Sequence, residues 1–239
     1  MERIEGHVET RKVGISVILL SFNRPHLVKQ SINSVLWQTF TDFELLIVEN
    51  SNDGGATRAI VEEYDDNRIK IHYEDLTDEE RHSRCIISVL NNKYIDVAQG
   101  RYIFFFCDDD ILLPNCLEEY YKFAEDNGGC DCHGGLLWLT YDGSRWGWSS
   151  NHEFPNVVFN DRISPSCKLT GGGVLLRKDH IVELGQPYFR QMDPAHCSTA
   201  DAVFFEDLAK LHPIYPVNQT LGITRFHREF RSFEYWRKE

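Results

Sequence analysis

Apolar runs that each end in a short polar segment recur along the first half of the chain and set its architecture. The segments 15–20 (ISVILL), 43–48 (FELLIV), 69–73 and 102–106 (YIFFF) read as strands. The last has five bulky residues without a polar break, the pattern of a strand covered on both faces. Between these runs the period becomes helical. Pro25 suits a first helical turn, and after it Val28, Ile32, Val35 and Leu36 share one face, with Lys29 and Asn33 off it. A short helix is expected over 56–64, after the turn-forming segment 49–55. A longer one is expected over 85–98, with Ile86, Leu90 and Val97 inward and Gly100 as its stop. The segment 75–84 is polar and unpatterned and predicts a loop. Strands alternating with helices at this spacing predict βαβ units, an α/β fold with a mostly parallel central sheet flanked by helices.

In such a sheet the loops 21–24, 49–53 and 108–110 share one edge, where open α/β sheets take their ligands, and they outline a nucleotide-sized crevice. Past residue 111 the pattern changes. A helix is expected over 115–126, a strand over 136–140 and an aromatic stretch over 141–156 that carries Trp146 and Trp148. A glycine-rich turn at 170–173 precedes a short strand at 174–176, and a helix is expected over 201–211. No repeat or low-complexity linker divides the chain. It reads as a charged tail, 1–12, and one domain, 13–239, with halves 13–110 and 111–239.

Three consecutive carboxylates, Asp108, Asp109 and Asp110, close the strand at 102–106. Adjacent anions raise one another's pKa, and a divalent cation removes that penalty. The net charge of −12 argues against a nucleic-acid partner, which would call for dense Lys and Arg. Seven cysteines, odd in number and irregularly spaced, outline no disulfide framework and fit reduced thiols in a cytosolic protein. Cys130, Cys132 and His133 are metal-capable, but no second pair follows at zinc-site spacing. The N-terminus lacks the apolar core of a signal peptide, and no stretch approaches the ~20 apolar residues of a membrane helix. The motifs GxxxxGK[ST], GxGxxG and GxSxG are absent. Two metal-assisted chemistries remain. Phosphoryl hydrolysis would want a carboxylate nucleophile at 21–23, where there is none. The other is group transfer from a nucleotide diphosphate, with a metal stabilising the departing diphosphate.

Four blocks, in order and spacing, carry a resemblance: ISVILLSFNRP, SVLWQTFTDFELLIVENSNDG, Asn92 through the AQGRYI at 98–103, and CDDDILLP. Together they resemble the family 2 glycosyltransferases with the GT-A fold, most closely the spore-coat polysaccharide type. The likeness is strong over about 13–115, with weaker marks to about 228. It implies an inverting, metal-dependent enzyme of hexosyltransferase type. Such an enzyme moves a sugar from a UDP-sugar or dTDP-sugar donor to a glycan or other hydroxyl acceptor, as in polysaccharide biosynthesis. On this resemblance 13–110 is the nucleotide half and 111–239 the acceptor half. Ser21, Phe22 and Asn23 line the ribose and base, Glu49 accepts from the uracil N3–H, and Arg84 reaches base or phosphates. Asp108 holds the ribose or shares the metal, while Asp109 and Asp110 are metal ligands. Where the family often begins its acidic motif with Asp, this chain has Cys107, so the ligating pair among 108–110 stays open.

Asp201 matches the family's general base, with Glu206 and Asp207 as alternatives. His227, in Arg225-Phe226-His227, matches a residue that completes the metal's shell, and one imidazole among oxygens leans towards Mn²⁺ over Mg²⁺. Trp138, Tyr141, Trp146 and Trp148 offer stacking faces for a sugar acceptor. The aromatic and basic tail 225–239 fits a lid, a peripheral membrane contact or a lead into a further domain. A cytoplasmic protein with no transmembrane segment is expected. The rival readings are a non-catalytic sugar-nucleotide-binding module, and a sugar nucleotidyltransferase whose usual glycine-rich N-terminal loop is missing.

Overall fold

A computed structural model describes residues 13–141, 144–148, 156–165, 169 and 171–226. Among them one mixed sheet forms the centre, its strands in the order 69–73, 43–49, 15–21, 102–107, 174–177, 131–141, 214–226 and 111–112, with 146–148 paired to the strand at 131–141. The strands β1 (Ile15–Ser21), β2 (Phe43–Glu49), β3 (Ile69–Tyr73) and β4 (Tyr102–Cys107) run parallel, as the alternation of apolar runs and helices predicts. Their connections are α1 (Pro25–Leu36), α2 (Ala56–Val61), α3 (Asp78–Ser83) and α4 (Ile86–Val97). In register, Ser21 lies opposite Glu49 and Leu20 opposite Cys107, so the carboxyl ends of β1, β2 and β4 meet at one edge.

The second half adds β5 (Ile111–Leu112), α5 (Cys116–Asp126), β6 (Asp131–Tyr141), β7 (Trp146–Trp148), β8 (Val174–Arg177), α6 (Lys178–Glu183), α7 (Ala200–Leu211) and β9 (Ile214–Phe226). β8 joins β4 antiparallel, and β6 and β9 pair in parallel beyond it. β9, thirteen residues long, is absent from the sequence expectations. Its polar residues Asn218, Gln219 and Thr220 break the apolar alternation that would have announced it. It also claims Arg225 and Phe226, so the supposed tail begins inside the sheet.

β4 divides the core. Phe104 and Phe106 pack with Val28, Ile32 and Leu117 on one face, while Ile103 and Phe105 pack with Leu90, Ile95 and Phe204 on the other. Each such side chain, buried from water, is worth about 1.5–3 kcal/mol. This double coverage is why the run carries no polar break.

Three expectations are corrected. The segment 75–84 contains α3, started by a capping box in which Thr77 Oγ1 accepts from the Glu80 N–H and Glu80 returns a bond to the Thr77 N–H. Gly100 is no helix stop, since α4 ends at Val97. A Cβ at Gly100 would come 2.4 Å from the Ser16 backbone nitrogen, and its N–H donates to Ser16 Oγ at 2.7 Å, so close strand approach requires glycine. Cys85, which caps α4, is disulfide-bonded to Cys197 in the short 3₁₀ helix Pro194–Thr199, against the expectation of reduced thiols. The partners lie 112 residues apart, and only the packing of that turn on α4 brings them together. No helix among the described residues is long and apolar enough to cross a membrane.

Candidate active site

The edge where β1, β2 and β4 end opens into a cleft of about 250 Å³. Phe22 and Arg24 from the β1 loop, Asn50 from the β2 loop, and Cys107, Asp108 and Asp109 from β4 line it. Arg81 of α3, Asn91 of α4 and Asp201 of α7 complete its polar wall.

Asp108 is fully buried and latches the first loop to the third. Its carboxylate accepts from the Phe22 N–H at 2.8 Å and from Arg24 Nη1 at 2.5 Å. Burial pushes its pKa up to about 6 and Asp109 adds to the rise, while Arg24 and the Phe22 N–H hold it back. Arg24 also reaches Asp109, 3.4 Å away. Burial works to lower the Arg24 pKa, but the charges of Asp108 and Asp109 outweigh it and raise it.

Asp109 and Asp110 are held from beneath by a residue the sequence reading left without a role. Arg225 is 2% exposed. Its guanidinium donates to the Asp109 carbonyl and to Gln30 Oε1, and its backbone N–H donates to Asp110 Oδ1 at 3.2 Å. Ser31 Oγ donates to the Asp110 carbonyl at 2.7 Å. Burial, then the neighbouring Asp109 charge, pushes the Asp110 carboxyl well above the usual carboxylate range.

Ligand atoms of Cys107, Asp109 and Asp110 lie within 4.8 Å of one another, the one such group of three among the described residues. Two carboxylates and room beside them fit a hard divalent cation. Gly172 keeps that room, since a Cβ there would come 3.2 Å from Asp110 Oδ2. The thiol stands where the family often has a first Asp, and Asp108 turns instead to Arg24 and Phe22. The segment 130–133 is otherwise engaged. Asp131 pairs with His180 at 2.9 Å, Cys132 is in the core, and His133 Nε2 meets the Val157 carbonyl at 3.0 Å. His227 lies outside the described residues.

The residues expected on the nucleotide side fall around the first two loops. Ser21 is buried, with its carbonyl accepting from the Asn50 side chain at 2.7 Å. Asn23 adopts φ 54°, a left-handed turn that Asn tolerates, and exchanges hydrogen bonds with Asn52. Glu49 is buried at the end of β2, accepting from the Ser51 N–H at 2.8 Å and from Arg58 Nε at 3.1 Å. Arg84 pairs with Glu80 at 3.4 Å and is not among the lining residues. Arg81 is. It lies over the Phe22 ring, 4.8 Å from its centroid, and donates to Asn50 Oδ1 at 2.9 Å. The sequence signal for it was Thr77-x-x-Glu80, a capping box that places Arg81 on a helix.

On the same cleft, Asp201 is the second residue of α7 and accepts from the Ala202 N–H at 2.8 Å. Burial pushes its pKa up to about 6. Glu206 and Asp207 are not on the lining; Asp207 pairs with Arg190 at 2.8 Å. Of the aromatic residues, Trp146 and Trp148 are exposed on β7, and Trp138 packs on Phe226.

The site is a carboxylate cluster that shares one cleft with a further carboxyl at the edge of a parallel sheet, and comparison with known proteins gives its class. The model of glycosyl transferase family 2 matches residues 16–185, and the chain belongs to that family. It is therefore a glycosyltransferase by family, and its fold is GT-A-like. It is 31% identical over 116 residues to the poly(ribitol-phosphate) β-N-acetylglucosaminyltransferase TarP of Staphylococcus aureus, covering 47% of this chain and 33% of TarP. It is 36% identical over 104 residues to the UDP-Glc:α-D-GlcNAc-diphosphoundecaprenol β-1,3-glucosyltransferase WfgD of Escherichia coli, covering 44% of this chain and 38% of WfgD. Residues 1–349 of S. aureus TarS in complex with UDP share the fold, with TM-score 0.67 and 17% identity over 89% of this chain and 60% of that one. The chain spans less than half the length of these two enzymes.

Proposed function

We propose that this chain transfers a sugar from a UDP-sugar to a hydroxyl of a glycan acceptor, in a single inverting displacement. The observation that carries the reading is that Asp201 lines the same cleft as Asp108 and Asp109. Phe22, Asn50 and Arg81 form a wall for the nucleoside, with Ser21, Asn23 and Glu49 shaping the loops behind it. Glu49, held behind that wall by Arg58 and the Ser51 N–H and off the cleft lining, accepts a uracil N3–H once its carboxylate turns into the cleft. Arg24 lines the cleft between Asp108 and Asp109 and meets the donor's phosphates. Asp201 takes the proton from the attacking acceptor hydroxyl, and a pKa of about 6 leaves it ionised and basic at neutral pH. Asp109 and Asp110, with His227, would hold a divalent cation, Mn²⁺ in preference to Mg²⁺. That cation would offset charge on the departing diphosphate. TarS in complex with UDP supports a uridine donor. TarP and WfgD, which by name glycosylate poly(ribitol-phosphate) and a diphosphoundecaprenol-linked sugar, support a glycan acceptor.

Calorimetric titration of UDP with and without Mn²⁺, beside donor hydrolysis followed as UDP release, tests the reading. Asp109→Asn should remove the metal-dependent part of UDP binding. Asp201→Asn should keep UDP binding and lower turnover by about 10²–10⁴-fold. No UDP uptake under any metal condition, or full turnover by Asp201→Asn, would overturn it.

A further inference from the structure

Two adjacent asparagines on α4 have different fates. Asn92 is satisfied by protein, its Nδ2 donating to the Phe189 carbonyl at 2.8 Å and its Oδ1 accepting from the Phe189 N–H at 2.7 Å. Asn91 lines the cleft, is 6% exposed, and has a buried Oδ1 with no hydrogen-bond partner among the described residues. A buried amide oxygen left unpaired is costly, so such a group in a binding cleft points to a ligand that completes it. A turn of about 180° in the amide exchanges its oxygen and nitrogen, so either can face the cleft.

The surroundings of Asn91 narrow the ligand. Ile86, Leu90, Phe105, Phe189 and Phe205 line the same cleft and are apolar. A ring bearing only hydroxyls would leave several of them desolvated against those side chains, each at a cost. An acetamido substituent suits the wall better. It offers one polar amide to Asn91 and one methyl to the apolar side chains.

We infer that Asn91 selects a donor whose transferred sugar carries an acetamido group. This rests on the UDP-sugar reading above and narrows its substrate class. The carboxamide pairs with the acetamido group while Asp109 and Asp201 act at the anomeric end. It is a specificity residue with no part in moving a proton.

The test uses the whole chain with UDP, UDP-N-acetylglucosamine and UDP-glucose, measuring affinity and the hydrolysis kcat/KM of each sugar donor. The wild-type chain should favour the acetamido donor by about tenfold or more, the worth of one uncharged hydrogen bond plus a buried methyl. Asn91→Leu, close in size and apolar, should bring that ratio to within about threefold of unity and leave UDP affinity unchanged. Retained UDP affinity shows the variant is folded, and the ratio within one variant cancels any global damage. Equal wild-type use of the two donors, or an unchanged ratio in Asn91→Leu, overturns the assignment and leaves the uridine reading standing. Failure of UDP itself to bind the wild-type chain overturns both.

Discussion

Arg225 supports the aspartate cluster, and its removal should be among the most damaging single changes in the protein. Its guanidinium serves the Asp109 carbonyl, Gln30 Oε1, Ser31 Oγ at 3.3 Å and the Leu27 carbonyl at 3.5 Å. In Arg225→Met the aliphatic volume is largely kept while these acceptors lose their donor. The two closest, the Asp109 carbonyl and Gln30 Oε1, are left bare at roughly 1–3 kcal/mol each. Asp109 and Asp110 also lose a neighbouring cation, and the whole falls in the ~3–5 kcal/mol range for breaking a buried charged network. With a urea dependence of ~2 kcal/mol per M, the unfolding midpoint should drop by about 2 M. Arg225→Lys keeps the charge without the planar fork and should recover only part of the loss. Urea denaturation followed by tryptophan fluorescence reads all three proteins. A loss below about 1 kcal/mol in Arg225→Met would refute the claim that this side chain holds the cluster.

On the proposed role of Asp201 as base it acts ionised, and with its pKa raised to about 6, kcat/KM should fall about tenfold per pH unit below 6 and level off above it. A profile flat down to pH 4.5 would contradict this, and a limb persisting in the residual activity of Asp201→Asn would belong to Asp108. Stability runs the other way, since the carboxyl with its raised pKa contributes fully below its ordinary 3.8 and that contribution is lost as pH rises through about 6. Thr77→Ala should cost α3 about 1 kcal/mol by removing the capping box. Amide exchange over 78–83 should quicken and UDP affinity weaken several-fold, because α3 carries Arg81 over Phe22; unchanged exchange would sink the link.

The parallel half of the sheet and the loops at its edge were legible in the sequence because they rest on local patterns. The runs 15–20, 43–48 and 102–106 each end in the polar loop that the parallel sheet then gathers. Asp108 to Asp110 read from the sequence as the close of a buried strand, and Asp201 as the head of a helix, and both lie there. What escaped depends on contacts distant in sequence. Arg225 sits 115 residues from Asp110, to which its backbone N–H donates, and reads in sequence as one more basic residue near a charged terminus. The Cys85–Cys197 bond leaves no mark in spacing. Arg81 was obscured by a segment too polar and short to show helical periodicity, although its capping box was present. The division of labour between Asn91 and Asn92 turns on which one meets Phe189, and adjacent identical letters cannot reveal that.

β4 has one more consequence. Its tip bears the acidic triplet, and its Phe105 meets Phe189 and Phe204 edge-on at 5.4 and 5.8 Å, under the helix that begins with Ala200 and Asp201. A single extended segment thereby acts as a ruler, with the two acidic parts of the cleft measured off the same backbone. Loops hung elsewhere on the sheet, the β6–β7 hairpin among them, can lengthen, shorten or change composition without altering that spacing. Shaving Phe105 to a smaller side chain would instead let α7 settle inward and change the gap between the carboxyls with no working residue touched.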